Sequence, residues 1–161
     1  MGILPTDTLY GVVGSALLPK TVARIYRVRK RNRMKPMIVL ISDREELSRF
    51  GVSERMEKWP AKTSIVFRVR GEKFRYLHRG THSIAFRVPR PTALRRFLRK
   101  SGPLVAASAN PEGMPPATTI RQARKYFGAS VDFYADIGPR RSKPSALVRF
   151  AGGRYTEVIR K

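Results

Sequence analysis

The sequence predicts one α/β domain built on a mixed sheet, and three observations carry that prediction. Strand-length apolar runs alternate along the chain with segments whose apolar residues recur at helical spacing. The last two such runs, Ser145 to Phe150 and Tyr155 to Ile159, flank Gly152-Gly153 as the arms of a hairpin would. A chain of 161 residues that is 42% hydrophobic has the size and composition of a single globular unit over 1–161, without repeat or linker.

Taken in order, Gly2 to Leu4 is a buried strand that runs into Pro5-Thr6-Asp7-Thr8-Leu9-Tyr10-Gly11. Thr6 to Tyr10 reads as its exit loop, carrying hydroxyls and a carboxylate to the sheet edge where open α/β sheets bind ligands. Pro19-Lys20-Thr21 starts a helix with Val22, Ile25 and Tyr26 as its apolar stripe, which runs to about Lys30 with Pro36 blocking continuation. Met37 to Ile41 is a strand. Ser42 with Glu45 forms a capping box for a short helix through Arg49, closed by Gly51, and Ser53 to Trp59 reads as a further helical turn. Thr63 to Arg70 alternates, with Ile65, Phe67 and Val69 inward and the other face wet. Residues 72 to 80 fit no period and are left open.

Ser83 to Val88 is a strand ended by Pro89 and Pro91. Thr92 caps a helix that buries Leu94, Phe97 and Leu98, leaves Arg95, Arg96, Arg99 and Lys100 in solvent, and stops at Gly102. Leu104 to Ala107 is a buried strand emptying into Ser108-Ala109-Asn110. Pro111 to Pro116 is irregular. Thr119 caps a helix bearing Ile120, Ala123 and Phe127 that stops at Gly128, Val131 to Ala135 is a strand, and Asp136 to Pro144 is a loop.

Composition narrows the function. Without cysteine there is no disulfide framework or thiolate metal site and nothing that points to secretion, so a cytoplasmic location is expected. His78 and His82 cannot make a catalytic zinc site without carboxylate help. No apolar run approaches the roughly 20 residues that span a bilayer, no signal-peptide layout is present, and no membrane partner is expected. Met1-Gly2 formally fits a myristoylation pattern, but Gly2 as the opening of a buried strand is the preferred reading. The net charge of +23, from 34 basic and 11 acidic residues, draws the protein towards polyanions, and RNA (tRNA or double-stranded RNA) is a reasonable partner.

The chemistry-bearing residues are simple ones. Arg29-Lys30-Arg31-Asn32-Arg33-Met34-Lys35-Pro36 is a dense cationic cluster. Cations at a helix end are favoured by the helix dipole alone. Yet guanidinium forks match phosphate oxygens, and three cations (Arg29, Arg31, Lys35) ahead of a buried strand make an anion site. The sequence has neither a Walker motif nor a Gly-rich dinucleotide fingerprint, so a nucleotide here is held by side chains and turns. Thr6-Asp7-Thr8 and Ser108-Ala109-Asn110 are each readable as plain turns. Their order and spacing together are more telling.

The chain resembles the YrdC-like threonylcarbamoyl-AMP synthase family. The resemblance rests on Pro5-Thr6-Asp7-Thr8-Leu9-Tyr10-Gly11, Arg29-Lys30-Arg31 through Lys35-Pro36, Trp59-Pro60, Ser83-Ile84-Ala85-Phe86-Arg87-Val88-Pro89, Ser108-Ala109-Asn110, Pro144-Ser145 and Ile159-Arg160. These occur in family order over nearly the whole chain. The resemblance implies an open, twisted α/β sheet flanked by helices with a concave basic cavity. It implies a nucleotidyl transfer in which L-threonine, bicarbonate (or CO2) and ATP give threonylcarbamoyl-adenylate and pyrophosphate. A separate transferase then modifies the tRNA adenosine beside the anticodon.

It implies roles as well. Arg29, Arg31, Lys35 and Arg160 would neutralise the phosphates of ATP with Mg2+, and Ser83, Ser108 and Asn110 would hydrogen-bond the nucleotide. Thr8 and Arg87 would hold threonine, Arg87 at its carboxylate, with Ser145 closing that side and Tyr10 shaping the pocket. No nucleophile or general base is expected, because positioning and charge neutralisation carry such a reaction. The sequence departs from the family pattern in starting at the first strand without a preceding helix and in having Arg29 where a lysine is usual. It departs again at Trp59-Pro60-Ala61-Lys62 and Ser145-Ala146. A non-catalytic RNA-binding relative is the alternative reading.

Overall fold

The computed structural model describes residues 1–54, 56–90 and 92–161. In chain order the strands are β1 (Gly2–Pro5), β2 (Tyr10–Ser15), β3 (Ile38–Leu40), β4 (Thr63–Arg68), β5 (Ser83–Arg87), β6 (Leu104–Ser108), β7 (Phe133–Tyr134), β8 (Ala146–Ala151) and β9 (Arg154–Arg160). The α-helices are α1 (Pro19–Val28), α2 (Arg75–His78), α3 (Thr92–Ser101) and α4 (Ile120–Phe127). All nine strands join one sheet in the order β7-β1-β2-β6-β3-β5-β4-β8-β9. The pairs β1/β7, β3/β5 and β4/β8 are parallel and the rest antiparallel, so the predicted mixed α/β sheet is what forms.

Side chains alternate across this sheet with the period of two that strands impose. Val12, Val39, Ile65, Phe67, Phe86 and Val105 point to one face, where they share a core with Val22, Ile25 and Tyr26 of α1, Leu77 of α2, and Ile120, Ala123 and Phe127 of α4. On the other face Leu94 and Leu98 of α3 form a smaller cluster with Val13, Leu40 and Leu104, edged by Leu4, Ile38 and Ala106. The rest of that second face is left for a cavity.

Several elements differ from the sequence reading. Thr6 to Tyr10 is not an exit loop: β1 and β2 are an antiparallel hairpin with Leu4 opposite Gly11, and Tyr10 already belongs to β2. The strand β2 has no sequence signature because its glycines interrupt the pattern. They are there for close approach: a Cβ on Gly14 would lie 2.5 Å from Thr21 Cγ2 and 3.2 Å from Ile25 Cδ1 of α1. Helix α1 ends at Val28, where Lys30 turns left-handed (φ 49°), so Pro36 has no part in stopping it.

The segment after Ser42 winds as a 3-10 turn (Arg44–Phe50), and Ser42 is bonded by Glu46 rather than Glu45, through its N–H (2.8 Å) and its hydroxyl (2.7 Å). Among the described residues of 53 to 59 no helical turn forms. Both faces of β4 are covered, because the face read as wet is the cavity floor. Thr92 lies inside α3, Pro91 lies outside the described residues, and Phe97 is exposed, since α3 meets the sheet only through Leu94 and Leu98. Val131 to Ala135 contributes only the two residues of β7.

Candidate active-site cavity

A cavity of about 510 Å³ occupies the open part of the second sheet face. Its floor is a cross-strand row of apolar residues, Ala106, Ile38, Ala85 and Val66, paired in register across β6, β3, β5 and β4. Polar groups stand around that floor.

The hairpin loop supplies one side. Thr6 closes the loop on itself: its hydroxyl donates to Leu9 O (2.7 Å) and accepts the Thr8 and Leu9 amides (3.2 Å each). This aims Asp7 and Thr8 at Arg87, the last residue of β5. Arg87 Nη2 donates to Asp7 Oδ1, and both terminal nitrogens lie 3.3 Å from Thr8 Oγ1. The ion pair is almost fully buried, yet Arg87 Nε and Asp7 Oδ2 have no partner.

The end of α1 supplies a second side. Arg29 is 2% exposed and donates from Nε to Asn110 O (2.9 Å) and from Nη2 to Ser108 Oγ and Asn110 Oδ1 (3.3 Å each). Its buried Nη1 has no partner. Burial, with the Arg31 charge adding to it, lowers the Arg29 pKa to about 10. Arg31 is held by the backbone of its own loop, with Nη2 donating to Pro36 O (3.0 Å), while Tyr26 OH donates to Lys35 O (2.8 Å).

The terminal hairpin supplies the third side. Ser145 and Ser64, both buried, share a hydrogen bond of 2.9 Å, and Arg160 donates from Nε (3.1 Å) and Nη2 (2.9 Å) to Ser145 O. Burial of its guanidinium, then the charge of Arg87, lowers the Arg160 pKa. Tyr10 OH donates to Gly138 O (2.7 Å), accepts the Ile137 amide (3.2 Å) and lies 2.9 Å from Asp136 Oδ1, pinning the 136–144 loop beside the cavity.

Of the residues singled out from sequence, Thr8, Tyr10, Arg29, Arg31, Ser83, Arg87, Ser108, Ser145 and Arg160 all line this cavity. Two do not. Lys35 turns its ammonium to Glu112 Oε1 (2.6 Å), and Asn110 stands behind Arg29 with its Nδ2 on Pro111 O and Met114 O. Three participants escaped the sequence reading. Ser64 and Arg149 sit on the cavity side of their strands, a placement that alternation in β4 and β8 signals once strand pairing is known. Glu112 had no signal, because it acts from a loop. Among the described residues that line the cavity there is no carboxylate.

An open mixed sheet with α1, α2 and α4 against one face, and α3 beside an arginine-lined cavity on the other, is the architecture the chain presents. The whole chain, residues 1–161, matches the Sua5/YciO/YrdC family model, which is described as "Telomere recombination", and the chain belongs to that family. It is 30% identical to the threonylcarbamoyl-AMP synthase of Stutzerimonas stutzeri, over 97% of this chain and 87% of that one. Against the threonylcarbamoyl-AMP synthase of Marinobacter nauticus it is 29% identical, over 92% and 84%. Its fold superposes on P. abyssi Sua5 complexed with L-threonine with a TM-score of 0.82 at 24% identity, over 92% of this chain and 46% of that one. The chain thus spans less than half of the Sua5 protein. E. coli YciO gives a TM-score of 0.81 at 19% identity, over 99% of this chain and 82% of that one. Among the described residues no helix is long and apolar enough to cross a membrane.

Proposed function

We propose that this chain makes L-threonylcarbamoyl-adenylate from L-threonine, bicarbonate or CO2, and ATP. The observation that carries the reading is the cavity itself, where the Arg29–Arg31–Ser108 side, the Thr8–Arg87 side and the Ser145–Arg160 side face one space. In the proposed reaction the threonine amine adds to CO2, giving up a proton to solvent, and forms a carbamate. A carbamate oxygen attacks the α-phosphorus, the bond to the bridging oxygen breaks, and pyrophosphate leaves with the electron pair. The reactants are all anions at that stage, so neutralising charge and holding the carbamate in line away from water are the protein's contributions.

Arg29 Nη1 and Arg31 are the groups for phosphate oxygens, joined by Arg160, with Ser83 and Ser108 for the rest of the nucleotide. Asn110 acts by holding Arg29, and Lys35 reaches a phosphate only by leaving Glu112. Arg87 and Thr8 would take threonine, Arg87 sharing its charge between Asp7 and the substrate carboxylate, while Ser145 and Tyr10 bound that side. A lining without carboxylates suits no protein-borne magnesium site, so Mg2+ would enter as the counter-ion of ATP. RNA is the proposed outer partner: Arg96, Arg99 and Lys100 of α3 are exposed, and among the described residues none pairs with a carboxylate. In this reading the adenylate passes in the cytoplasm to a separate transferase that acts on tRNA.

The test is pyrophosphate release from ATP with threonine and bicarbonate, each omitted in turn. Release that needs all three is expected. Threonine-independent release rejects the reading, and no release combined with salt-sensitive RNA binding favours a non-catalytic RNA-binding role.

A further inference from the structure

Arg149 has no role in the reading above. It lies on β8, two residues beyond Leu147, and both line the cavity. Its register partner on β4 is Val66, so the apolar floor that starts at Ala106 on β6 ends at Arg149. Four inter-strand steps separate those ends, roughly 19 Å. A nucleotide laid along the floor with its α-phosphate near Arg29 would point its outer phosphates at this end.

The local backbone serves that placement. Register shifts between Leu147 and Val148 and between Arg149 and Phe150 break the β8–β9 ladder on either side of the Val148–Arg149 step. The second residue left out of the pairing towards the chain end, Ile159, also lines the cavity. Such shifts re-aim side chains next to sites. Arg149 uses only Nε on its partner, donating to Glu157 Oε2 at 3.0 Å, and the two side chains are 42% and 54% exposed. A pair this open adds little to stability, and the guanidinium keeps both terminal nitrogens for an anion.

We propose that Arg149, beside Arg160, binds the outer phosphates of the nucleoside triphosphate, the part that leaves as pyrophosphate. This rests on the adenylate-forming reading, but its test reads binding rather than turnover. Calorimetry with ATP, AMP and inorganic pyrophosphate is run on the wild-type chain, Arg149→Ala and Glu157→Gln. Arg149→Ala is expected to weaken ATP and pyrophosphate about tenfold, the loss of one charge-assisted contact, and to leave AMP unchanged. Glu157→Gln, which breaks the same pair while keeping the guanidinium, is expected to weaken none of the three.

Equal losses for ATP and AMP, unchanged pyrophosphate affinity in Arg149→Ala, parallel losses in the two variants, or no pyrophosphate binding by the wild type each overturn the proposal. Failure of the adenylate reading looks different: pyrophosphate binding remains sensitive to Arg149 while threonine-dependent turnover is absent.

Discussion

Replacing Arg31 by alanine isolates the phosphate-binding reading from the stability of the fold. The side chain is only partly buried, and its bond from Nη2 to Pro36 O reaches a backbone carbonyl that water can serve in the variant. The backbone bond that ends α1, from Arg31 N to Tyr26 O (2.9 Å), survives the change. A surface-facing hydrogen bond of that kind is worth about 0.5–1 kcal/mol, so Tm should move by a few degrees at most. On a transferring polyphosphate the same guanidinium is expected to make two charge-assisted bonds, together about 3 kcal/mol. That is on the order of a hundredfold in kcat/KM for ATP. The assay is pyrophosphate release at ATP well below KM, with thermal unfolding in parallel. A variant with the wild-type rate, or one whose loss of rate comes with an equally large loss of stability, refutes the assignment.

Three further outcomes are expected. Burial, then the neighbouring His82, lowers the His78 pKa below 6.5, so the folded chain binds this proton less well than the unfolded one. Its contribution to stability is full above about pH 6.5 and falls away as pH drops further, so urea midpoints should decline from pH 7 to pH 5 more steeply in the wild type than in His78→Asn; parallel curves would contradict this. Gly14→Ala pushes a methyl to 2.5 Å from Thr21 Cγ2 and should cost about 1–3 kcal/mol, of which Thr21→Ser restores part; full stability of the single variant argues against the tight β2–α1 contact. Arg96→Ala with Arg99→Ala should weaken RNA binding and reduce its log–log salt slope by about 2 while leaving pyrophosphate release intact, and an unchanged slope removes α3 as the contact. Arg95 is left out of that pair because its Nε donates to Ser42 O (2.7 Å) and ties α3 to the body of the protein.

What was legible followed from short-range rules. The stripe Val22, Ile25, Tyr26 and the Thr119 cap, whose side chain accepts from Gln122 N, are set within one or two turns of chain, and both stand where periodicity and capping put them. The strand β2 was not legible, because Gly14 serves a helix that packs from outside the strand and Gly11 makes room for Thr6 and the neighbouring strand β6. The alternation of β4 was legible, but that its second face is buried at a cavity rather than wet depends on β5 and β8 as neighbours. The same division holds in the site. Residues at strand ends and turns (Thr8, Arg87, Ser108, Ser145) reach the cavity as their positions suggest. Whether a nearby polar residue faces the space or braces another side chain is decided by partners far away in sequence, as Glu112 decides for Lys35 and Arg29 for Asn110.

Glu112 carries a mechanical consequence. Its amide donates to Arg29 O (2.8 Å), one carboxylate oxygen accepts the Asn32 amide and the other takes the Lys35 ammonium. Those three bonds join the stretch after α1 to the stretch after β6, so a displacement of either has to break or carry them. A single Glu112→Ala exchange would remove the two carboxylate bonds and keep the backbone one to Arg29 O, leaving this rim of the cavity one tether of the three and its floor untouched.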